Sequence, residues 1–248
     1  RRNLLIFSIG FSVLISLVAF VVIYIVIRSF LKPLNELTAA SKRLADGKFD
    51  VNLSYTRDDE IGQLSKTFGI MSTSLKQYYD HFHNLAYTDA MTGLNNKAAF
   101  ETTKGVIESE IKINRAAFTI IVMDVNNLKT INDTIGHEKG DLLLKHVTAC
   151  MRETFVGFPL YRIGGDEFCT IINGAADPQY LITKLQDITA EKSKEDFDVF
   201  QCSYQIAAGA ASFTKTSDVS FDDVFNRADK AMYENKKLLK SHTSQAER

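Results

Sequence analysis

The chain has 248 residues, with 29 Lys and Arg against 30 Asp and Glu, so its formal net charge is −1. It is 45% apolar and 24% charged, a balance that excludes a disordered tail, a collagen and a disulfide-rich miniprotein. Because basic residues are not in excess, nucleic acid is not an expected partner. The mean hydropathy of −0.08 averages one strongly apolar segment with longer polar ones.

The first segment, residues 1–27, is predicted to be a transmembrane helix with its flank. Residues 4–27 contain no charged side chain, and a helix of that length extends roughly 36 Å, enough to cross a hydrocarbon core of about 30 Å. A signal peptide is excluded because no small-residue cleavage site follows the apolar run. Orientation is not fixed by the positive-inside rule, since basic residues flank both ends, at Arg1, Arg2, Arg28 and Lys32.

The cellular setting that we expect is the inner cell membrane, crossed once, with the C-terminal domain in the cytoplasm. The chain begins with Arg rather than Met, so we expect an upstream sensor region in the whole protein. Cys150, Cys169 and Cys202 form no Cys-x-x-Cys pair. An odd number of widely spaced cysteines fits reduced, buried thiols better than a disulfide framework or a zinc site.

Residues 28–80 are predicted to form two short amphipathic helices joined by a polar connector. Apolar or small residues recur at helical spacing at Leu34, Leu37, Ser41 and Leu44, and again at Ile61, Leu64, Phe68, Met71, Leu75 and Tyr78. One hairpin cannot bury two such narrow seams, so a parallel dimer forming a four-helix coiled coil is expected. Pro33 after the membrane segment and Asp59-Glu60-Ile61-Gly62 at the second helix resemble the HAMP signal-relay domain. The alternative is an amphipathic hairpin lying on the membrane surface.

Residues 81–248 carry both helical and strand periodicities, which predicts a single domain of mixed helix and strand. The predicted helices cover residues 97–114, 128–135, 142–155, 178–191 and 221–240. The predicted strands cover residues 116–124, 160–163, 167–172 and 200–208. Gly164-Gly165-Asp166 links the second and third strands as a hairpin turn.

Two carboxylates stand where apolar strands end. Asp124 closes the first strand and Asp166 lies at the tip of the hairpin. If these strands are neighbours, both carboxylates meet at one edge of the sheet, where little sulfur or imidazole is available. Such a donor set favours Mg²⁺ or Mn²⁺ over zinc, and Mg²⁺ usually shares its shell with substrate phosphates. Taken alone, however, Gly-Gly-Asp is more often only a tight turn.

Four motifs in order carry a resemblance to a known family. Residues 161–168 (YRIGGDEF) resemble the motif that names the GGDEF family of diguanylate cyclases. Residues 89–96 (DAMTGLNN), 124–141 (DVNNLKTINDTIGHEKGD) and 228–236 (ADKAMYENK) are similar to three further motifs of that family. The resemblance implies an α/β (α+β) GGDEF catalytic domain like that of nucleotidyl cyclases, preceded by the membrane helix and an all-α HAMP-like coiled-coil segment.

The resemblance also implies an activity and a metal site. A membrane-bound diguanylate cyclase would condense two GTP into cyclic di-GMP and two pyrophosphates across a homodimer, regulated through the HAMP-like segment. Asp124, the carbonyl of Val125 and Asp166 would hold Mg²⁺ or Mn²⁺. Asp166 would also take the proton from the attacking 3′-hydroxyl, with Glu167 as the second catalytic carboxylate of the motif.

Binding roles follow from the same resemblance. The backbone N–H groups of Asn127 and Leu128, at a helix N-terminus, would bind phosphate oxygens. Asp141 would read the base, because an ionised carboxylate only accepts hydrogen bonds and guanine presents donors at N1 and N2. Asn132 would read the base together with Asp141, and His137 would line the nucleotide site. The other residues implied are Lys129, Lys236 and Lys240 at the phosphates.

The chain departs from the family pattern at three places. An R-x-x-D product-inhibition site would fall on Phe155 and Phe158, so we expect no tight feedback inhibition through it. Leu239-Lys240-Ser241 occupies the place of the usual G-R-N, and lysine lacks the two parallel N–H donors of the arginine guanidinium. In addition, Lys97 stands where Arg is common. The alternative functions are a catalytically inactive GGDEF domain that relays by binding GTP or protein, and a cyclase with altered base choice.

Overall fold

The computed structural model describes residues 2–174 and 176–246, so Arg1, one of the predicted flanking cations, lies outside the described residues. The chain divides into two compact units, Arg1–Phe82 and His83–Arg248. The first is helical and the second contains a sheet with helices on both faces.

The first unit begins with an almost entirely apolar helix. Helix α1 (Arg2–Val26) passes through a π-helical turn (Ile27–Leu31) into helix α2 (Lys32–Ala45). The Lys32 N–H donates to the carbonyl of Ile27, five residues back, and Pro33, which has no N–H, follows at once. In the described part of the chain, one helical stretch, Ile6–Ala45, is long and apolar enough to cross a membrane. This agrees with the predicted span.

A connector leads from α2 back to helix α3 (Glu60–Tyr87). Asp59 caps α3 by accepting from the Gly62 N–H at 2.8 Å. A Cβ at Gly62 would overlap the backbone carbonyl of Arg57, so only glycine lets the connector pass this close. The sequence predicts the end of α3 near Tyr78; the helix continues to Tyr87 because neither Gly nor Pro occurs in between.

The buried face of α3 is small and polar rather than apolar. Within one chain, α3 buries Gly62, Ser65 and Ser72. Residues of the predicted apolar seam lie exposed instead, with Leu64 at 51% and Met71 at 52%. The seam is therefore available to another helix.

The second unit is built on one antiparallel sheet. Its strands are β1 (Phe118–Val125), β2 (Leu160–Arg162), β3 (Glu167–Asn173) and β4 (Ile206–Ser212), in the order β2-β3-β1-β4. Strand β1 pairs with β3 in a register that sets Asp124 opposite Glu167. The predicted adjacency of the Asp124 strand and the hairpin is thereby confirmed.

Helices cover both faces of this sheet. They are α4 (Lys97–Lys112), α5 (Leu128–Ile135), α6 (His137–Thr154), α7 (Pro178–Glu195), the short α8 (Phe197–Phe200) and α9 (Phe221–Ala246). Side chains of β1 alternate between two apolar cores. Ile121 and Met123 pack with α6 and α7, while Ile120 and Val122 pack with α4 and α9. This alternation is the two-residue period of a strand buried on both sides.

One predicted strand is partly wrong. Residues 200–208 were expected to be extended, but Phe200 ends α8 and β4 begins only at Ile206. Gln201 adopts a left-handed conformation with φ of 54°, and the Tyr204 N–H donates to the Ser193 hydroxyl rather than to a strand. The strand that forms is rich in Ala and Gly, which lack strand propensity. Close packing against α9 stabilises this strand instead.

The cysteines agree with the prediction of free thiols. Cys150, Cys169 and Cys202 are all unbridged, the first two buried and the third half-buried. Burial raises the pKa of the Cys169 thiol. A fully buried thiol with a raised pKa is unreactive, so Cys169 packs as a small apolar side chain.

Candidate functional site

The site begins at the end of β1, where Asp124 is only 6% exposed. Its Oδ1 accepts from the Lys236 ammonium of α9 at 2.5 Å. A buried carboxylate requires a compensating cation, and in this structure Lys236 supplies it. Two of the predicted site residues, distant in sequence, are thus in direct contact.

The hairpin brings Asp166 to the same edge of the sheet. The N–H groups of Ile163 and Gly164 donate to the carbonyl of Glu167 at 3.0 and 3.3 Å, closing the turn. The Val125 N–H donates to the carbonyl of Asp166 at 3.0 Å. Asp124, Val125 and Asp166, the three residues predicted to hold metal, therefore lie on adjacent backbone segments.

A cleft of about 380 Å³ opens beside this edge. Predicted site residues that line it are Leu128, Lys129, Asn132, His137, Asp141 and Asp166. It combines cationic, amide and carboxylate groups with apolar surface from Met91 and Leu144. That mixture suits a nucleotide, whose base is flat and apolar and whose phosphates are anionic.

The N-terminus of α5 lies at the cleft. Asn127 precedes α5 in a left-handed conformation with φ of 67° and makes no capping hydrogen bond from its side chain. That side chain donates instead to the carbonyl of Ser203 at 2.9 Å. Without a side-chain cap, the first N–H groups of a helix remain available to an anion.

A glycine shapes the part of the cleft predicted to read the base. A Cβ at Gly140 would overlap the Asn132 side-chain amide, so the absence of a side chain on α6 lets Asn132 lie against that helix. The next residue, Asp141, lines the same cleft as Asn132. The close approach therefore holds the predicted base-reading pair side by side.

Arg162 is a site residue to which the sequence analysis gave no role. Its Nε and Nη2 donate to the Gly165 carbonyl at 3.2 and 2.7 Å, and its Nη1 donates to Asp89 at 3.0 Å. Asp89 also accepts from the Thr92 hydroxyl and N–H. The quoted motifs contain both residues, but 73 positions separate them, so spacing alone could not pair them.

The Asp89 carboxylate is held ionised by these partners. Its partial burial raises the pKa of the carboxyl, but hydrogen bonds from Thr92 and Arg162 outweigh burial and leave the pKa below its usual value. The ionised Asp89 orients Arg162, which fixes the hairpin carbonyl two bonds from Asp166.

Helix α9 is locked onto the sheet on either side of Lys236. Asn235 accepts from the Ala208 N–H of edge strand β4 and from the Gln186 amide of α7, each at 3.0 Å. A Cβ at Gly209 would overlap the backbone of Met232. The register of α9 against β4, and with it the reach of Lys236 to Asp124, is therefore set by tight contacts.

Six of the predicted site residues are not part of the cleft lining, namely Asp124, Val125, Asn127, Lys236, Glu167 and Lys240. Glu167 is exposed and its carboxylate lies over Gly164, where a Cβ would approach to 2.6 Å. Lys240 is exposed one helical turn beyond Lys236 on α9. Phe155, at the position where the resemblance would place the arginine of an R-x-x-D site, is buried in the apolar core.

Comparison with known proteins identifies the family. Residues 86–242 match the family model described as "Diguanylate cyclase, GGDEF domain", and residues 25–77 match the HAMP domain model. The diguanylate cyclase DgcS of Shewanella oneidensis is 29% identical over 162 residues, which are 64% of this chain and 52% of DgcS. The chain thus spans about half the length of this curated relative.

Solved structures of DgcB from Caulobacter crescentus in complex with c-di-GMP share the fold. The coiled coil with the GGDEF domain is 23% identical with a TM-score of 0.57, covering 70% of this chain and 94% of that one. The GGDEF domain alone is 26% identical with a TM-score of 0.53, covering 61% and 91%. Because the matched family segment exceeds half of this chain, the chain belongs to the GGDEF family and carries a HAMP domain before the GGDEF domain.

Proposed function

We propose that this chain is the membrane-anchored relay and catalytic part of a diguanylate cyclase, which condenses two GTP into cyclic di-GMP with release of two pyrophosphates. The observation that carries the proposal is the joining of Asp124, Val125 and the Asp166 hairpin at the edge of a cleft lined by Lys129, Asn132 and Asp141. Membership of the family, shared with DgcS, supports it.

The residues at the sheet edge fit a hard divalent cation. Among the described residues no cluster of three His, Cys, Asp or Glu side chains exists, which argues against a closed all-protein metal cage. One or two carboxylates with backbone and substrate oxygens are what Mg²⁺ requires. The Lys236 ammonium against Asp124 already marks this as a place where positive charge is favoured.

An unsatisfied amide adds to this fit. Asn126 directly follows Val125, is buried, and has no hydrogen-bond partner for its side-chain oxygen or nitrogen among the described residues. Buried amides are ordinarily paired with protein, water or ligand. Asp124, the Val125 carbonyl and Asp166 would hold the metal, which supplies Lewis-acid stabilisation of phosphate charge when bound.

The protein groups then position and neutralise the substrate. The α5 N-terminus at Asn127 and Leu128 binds phosphate oxygens, and Lys129 adds a positive charge there. Lys236, which contacts Asp124 in this structure, would be available to a phosphate oxygen if Asp124 held the metal. Asp166 accepts the proton of the 3′-hydroxyl, which raises the nucleophilicity of that oxygen as it attacks the α-phosphate.

Base choice belongs to Asn132, His137 and Asp141. The Asp141 carboxylate accepts from the N1 and N2 donors of guanine, whereas the adenine edge would present an acceptor at N1 and leave the carboxylate unpaired. A site built around a hydrogen-bonded group rejects analogues that lack its partner. We therefore assign GTP, rather than ATP, as the substrate.

Homodimerisation completes the proposed reaction, since each domain holds one GTP. The exposed seam of α3, with Leu64, Met71, Leu75 and Tyr78 between 44% and 64% exposed, is the surface that a second copy would bury. HAMP helices and the membrane helix α1 keep two catalytic domains at high effective concentration. A signal received upstream would act by changing how these helices pair.

The test uses the full chain in lipid nanodiscs with GTP and Mg²⁺, followed by chromatography for cyclic di-GMP and pyrophosphate. Asp166→Asn should abolish product, whereas Asp187→Asn, an exposed carboxylate on α7, should not change it. If a confirmed dimer binds GTP and forms no product in the unsubstituted chain, cyclase activity is refuted and the chain is a nucleotide-binding relay.

A further inference from the structure

A basic cleft lies where the apolar helix ends. It has a volume of about 630 Å³ and is bounded by the end of α1, the π-helical turn, the start of α2 and connector residues 54–57. Three cations line it, namely Arg28, Lys32 and Arg57, against a single carboxylate, Glu36. The Glu36 carboxylate already accepts from the Ser54 hydroxyl at 2.7 Å, so the cleft carries net positive charge.

The third cation is brought there by the fold. Arg57 is 28 residues from Ser29, yet its Nη1 donates to the Ser29 hydroxyl at 2.9 Å. Arg28 Nη1 is similarly oriented by the Tyr24 hydroxyl at 2.9 Å. The acidic residues that follow in sequence, Asp58 and Asp59, line a neighbouring cleft toward α3, which Arg57 lines as well, and Asp59 is engaged in capping that helix.

The depth of this cleft matches a lipid headgroup layer. The uncharged run ends at Ile27, and the rise from Arg28 to Lys32 is about 6 Å, comparable with the headgroup thickness on one side of a bilayer. On the bilayer side of these cations the cleft is lined by Tyr24 and Ile25, where an acyl chain would lie. Cations at the end of an apolar helix, beside apolar side chains, match the chemistry of an anionic phospholipid.

We propose that this cleft binds the phosphate headgroup of an anionic phospholipid of the surrounding membrane. The phosphate oxygens accept from Arg28 and Arg57, with Lys32 as an additional charge, and an acyl chain lies on the bilayer side of the cleft, beside Tyr24 and Ile25. A bound headgroup would join the start of α2 to the connector that precedes α3, so lipid composition would bias the pairing of the two HAMP helices. The inference rests on the membrane insertion proposed above and not on cyclase activity.

The test is native mass spectrometry of the full chain released from nanodiscs of phosphatidylcholine containing a minority of phosphatidylglycerol. We expect preferential retention of phosphatidylglycerol, reduced about fivefold by Arg57→Gln, the effect of one basic residue near a membrane surface. Arg57→Lys should retain most of the preference. Lys48→Gln, the same charge change elsewhere in the connector, should retain all of it.

Several outcomes would overturn the inference. They are unchanged retention in Arg57→Gln, equal losses in Arg57→Gln and Lys48→Gln, and displacement of the lipid by inorganic phosphate bound with the same dependence on Arg57, which would assign the cleft to a soluble anion. Failure of the chain to enter nanodiscs would refute the membrane proposal together with this inference. Insertion without lipid preference would refute the inference alone.

Discussion

At the scale of single residues, Arg162 shows how one side chain can set the backbone geometry next to another, here Asp166, which we propose as a catalytic carboxylate. Its guanidinium binds the Gly165 carbonyl through two nitrogens and Asp89 through a third. Lysine offers one nitrogen and cannot make this fork. The turn that carries Asp166 therefore depends on an arginine outside the Gly-Gly-Asp-Glu-Phe motif.

We predict that Arg162→Lys lowers kcat by roughly tenfold to a hundredfold, because misplacement of reacting groups by about 1 Å can cost a hundredfold. KM for GTP should change less, since Arg162 supports the hairpin rather than the base. The matched control is Arg227→Lys, where an arginine also joins a carbonyl, that of Ser212, to a carboxylate, that of Asp218. An equal fall in kcat in both variants would contradict a positioning role for Arg162.

Substitution of Gly140 is expected to weaken substrate binding without lowering the stability of the fold. Gly140→Ala should raise helix propensity in α6 by up to about 1 kcal/mol, while the new Cβ displaces the Asn132 amide from the position in which we propose that it reads the base. We expect KM for GTP to rise roughly tenfold, which is the effect of losing one or two hydrogen bonds to the base. The melting temperature should not fall. Gly105→Ala on α4, where a Cβ meets open space, is the control; a lower melting temperature with unchanged KM would make the Asn132 contact purely structural.

Asp196 gives a pH dependence of stability away from the cleft. Burial alone would raise the pKa of its carboxyl, but hydrogen bonds from the Tyr204 hydroxyl at 2.7 Å and from His146 Nδ1 at 2.8 Å outweigh burial and lower the pKa. A carboxyl with a lowered folded-state pKa stabilises the fold above its unfolded pKa of about 3.9, and this stability is lost as pH falls through the folded value.

We therefore predict that Asp196→Asn lowers the free energy of unfolding by about 1.5–3 kcal/mol near neutral pH, the range for hydrogen bonds to a charged group. Near pH 3, below the unfolded pKa of about 3.9, the difference from the unsubstituted chain should shrink, because the carboxyl takes up a proton more readily in the unfolded chain than in the folded one. Urea unfolding followed by circular dichroism at both pH values measures this. Asp198→Asn, exposed on α8, is the control, and a deficit for Asp196→Asn that is independent of pH would contradict the linkage.

The candidate site could be predicted from sequence to the extent that it is local. The segment from Asp124 to Asp141 runs through one strand and two helices, and its resemblance to one contiguous family motif is what grouped Lys129, Asn132 and Asp141. Contacts between segments distant in sequence, such as Asp89 with Arg162, depend on tertiary folding and no periodicity encodes them. Asn126 could not be predicted for a different reason, because only the folded surroundings of a buried amide show whether it has a hydrogen-bond partner.

At the scale of whole elements, α3 shows that spacing fixes a helix but not its ends or its partner. Its seam of Leu64, Phe68, Met71 and Leu75 is visible in sequence, whereas its intrachain contact uses Gly62, Ser65 and Ser72. For strand β4, the predicted start was wrong. Its Ala- and Gly-rich sequence has little strand propensity, so the strand forms because it packs against α9. Gly209 allows this close packing, since a Cβ there would overlap the α9 backbone.

The turn into α3 gives a prediction at this scale. Gly62→Ala should destabilise the HAMP segment, because its Cβ would overlap the Arg57 carbonyl and push the connector from α3. Backbone atoms cannot rotate away as a side-chain end can, so we expect a loss of about 1–3 kcal/mol, as for overpacking. Thermal melting of helical circular dichroism for the full chain measures this loss.

Gly69→Ala provides the matched control on the same helix, since a Cβ there meets nothing within 4 Å. This variant should be neutral or stabilising by up to about 1 kcal/mol. Equal melting temperatures for Gly62→Ala and Gly69→Ala would mean that the connector does not depend on the close approach, and the structural reading of the Asp59-Glu60-Ile61-Gly62 motif would be wrong.

At the scale of the whole molecule, the continuity of α3 is the feature that bears on signalling. One helix runs from Glu60, in the HAMP segment, to Tyr87, just before the Asp89 turn that holds Arg162. If signals pass along α3 as a change of helix phase, catalysis by the proposed dimer would depend on the angular position of the residues that follow.

Insertions after Tyr78 test this idea, because each added residue turns the following chain by about 100°. One inserted alanine should therefore change cyclase activity severalfold in either direction, since it alters how the two catalytic domains face each other. Seven inserted residues turn the chain by about two full turns and leave the phase shifted by only about 20°, so activity should return toward that of the unsubstituted chain despite the longer helix. Cyclic di-GMP formation in nanodiscs is the measurement for both.

Equal activities for the one-residue insertion, the seven-residue insertion and the unsubstituted chain would reject coupling by helix phase. Equal losses of activity in both insertions would indicate that activity depends on helix length instead.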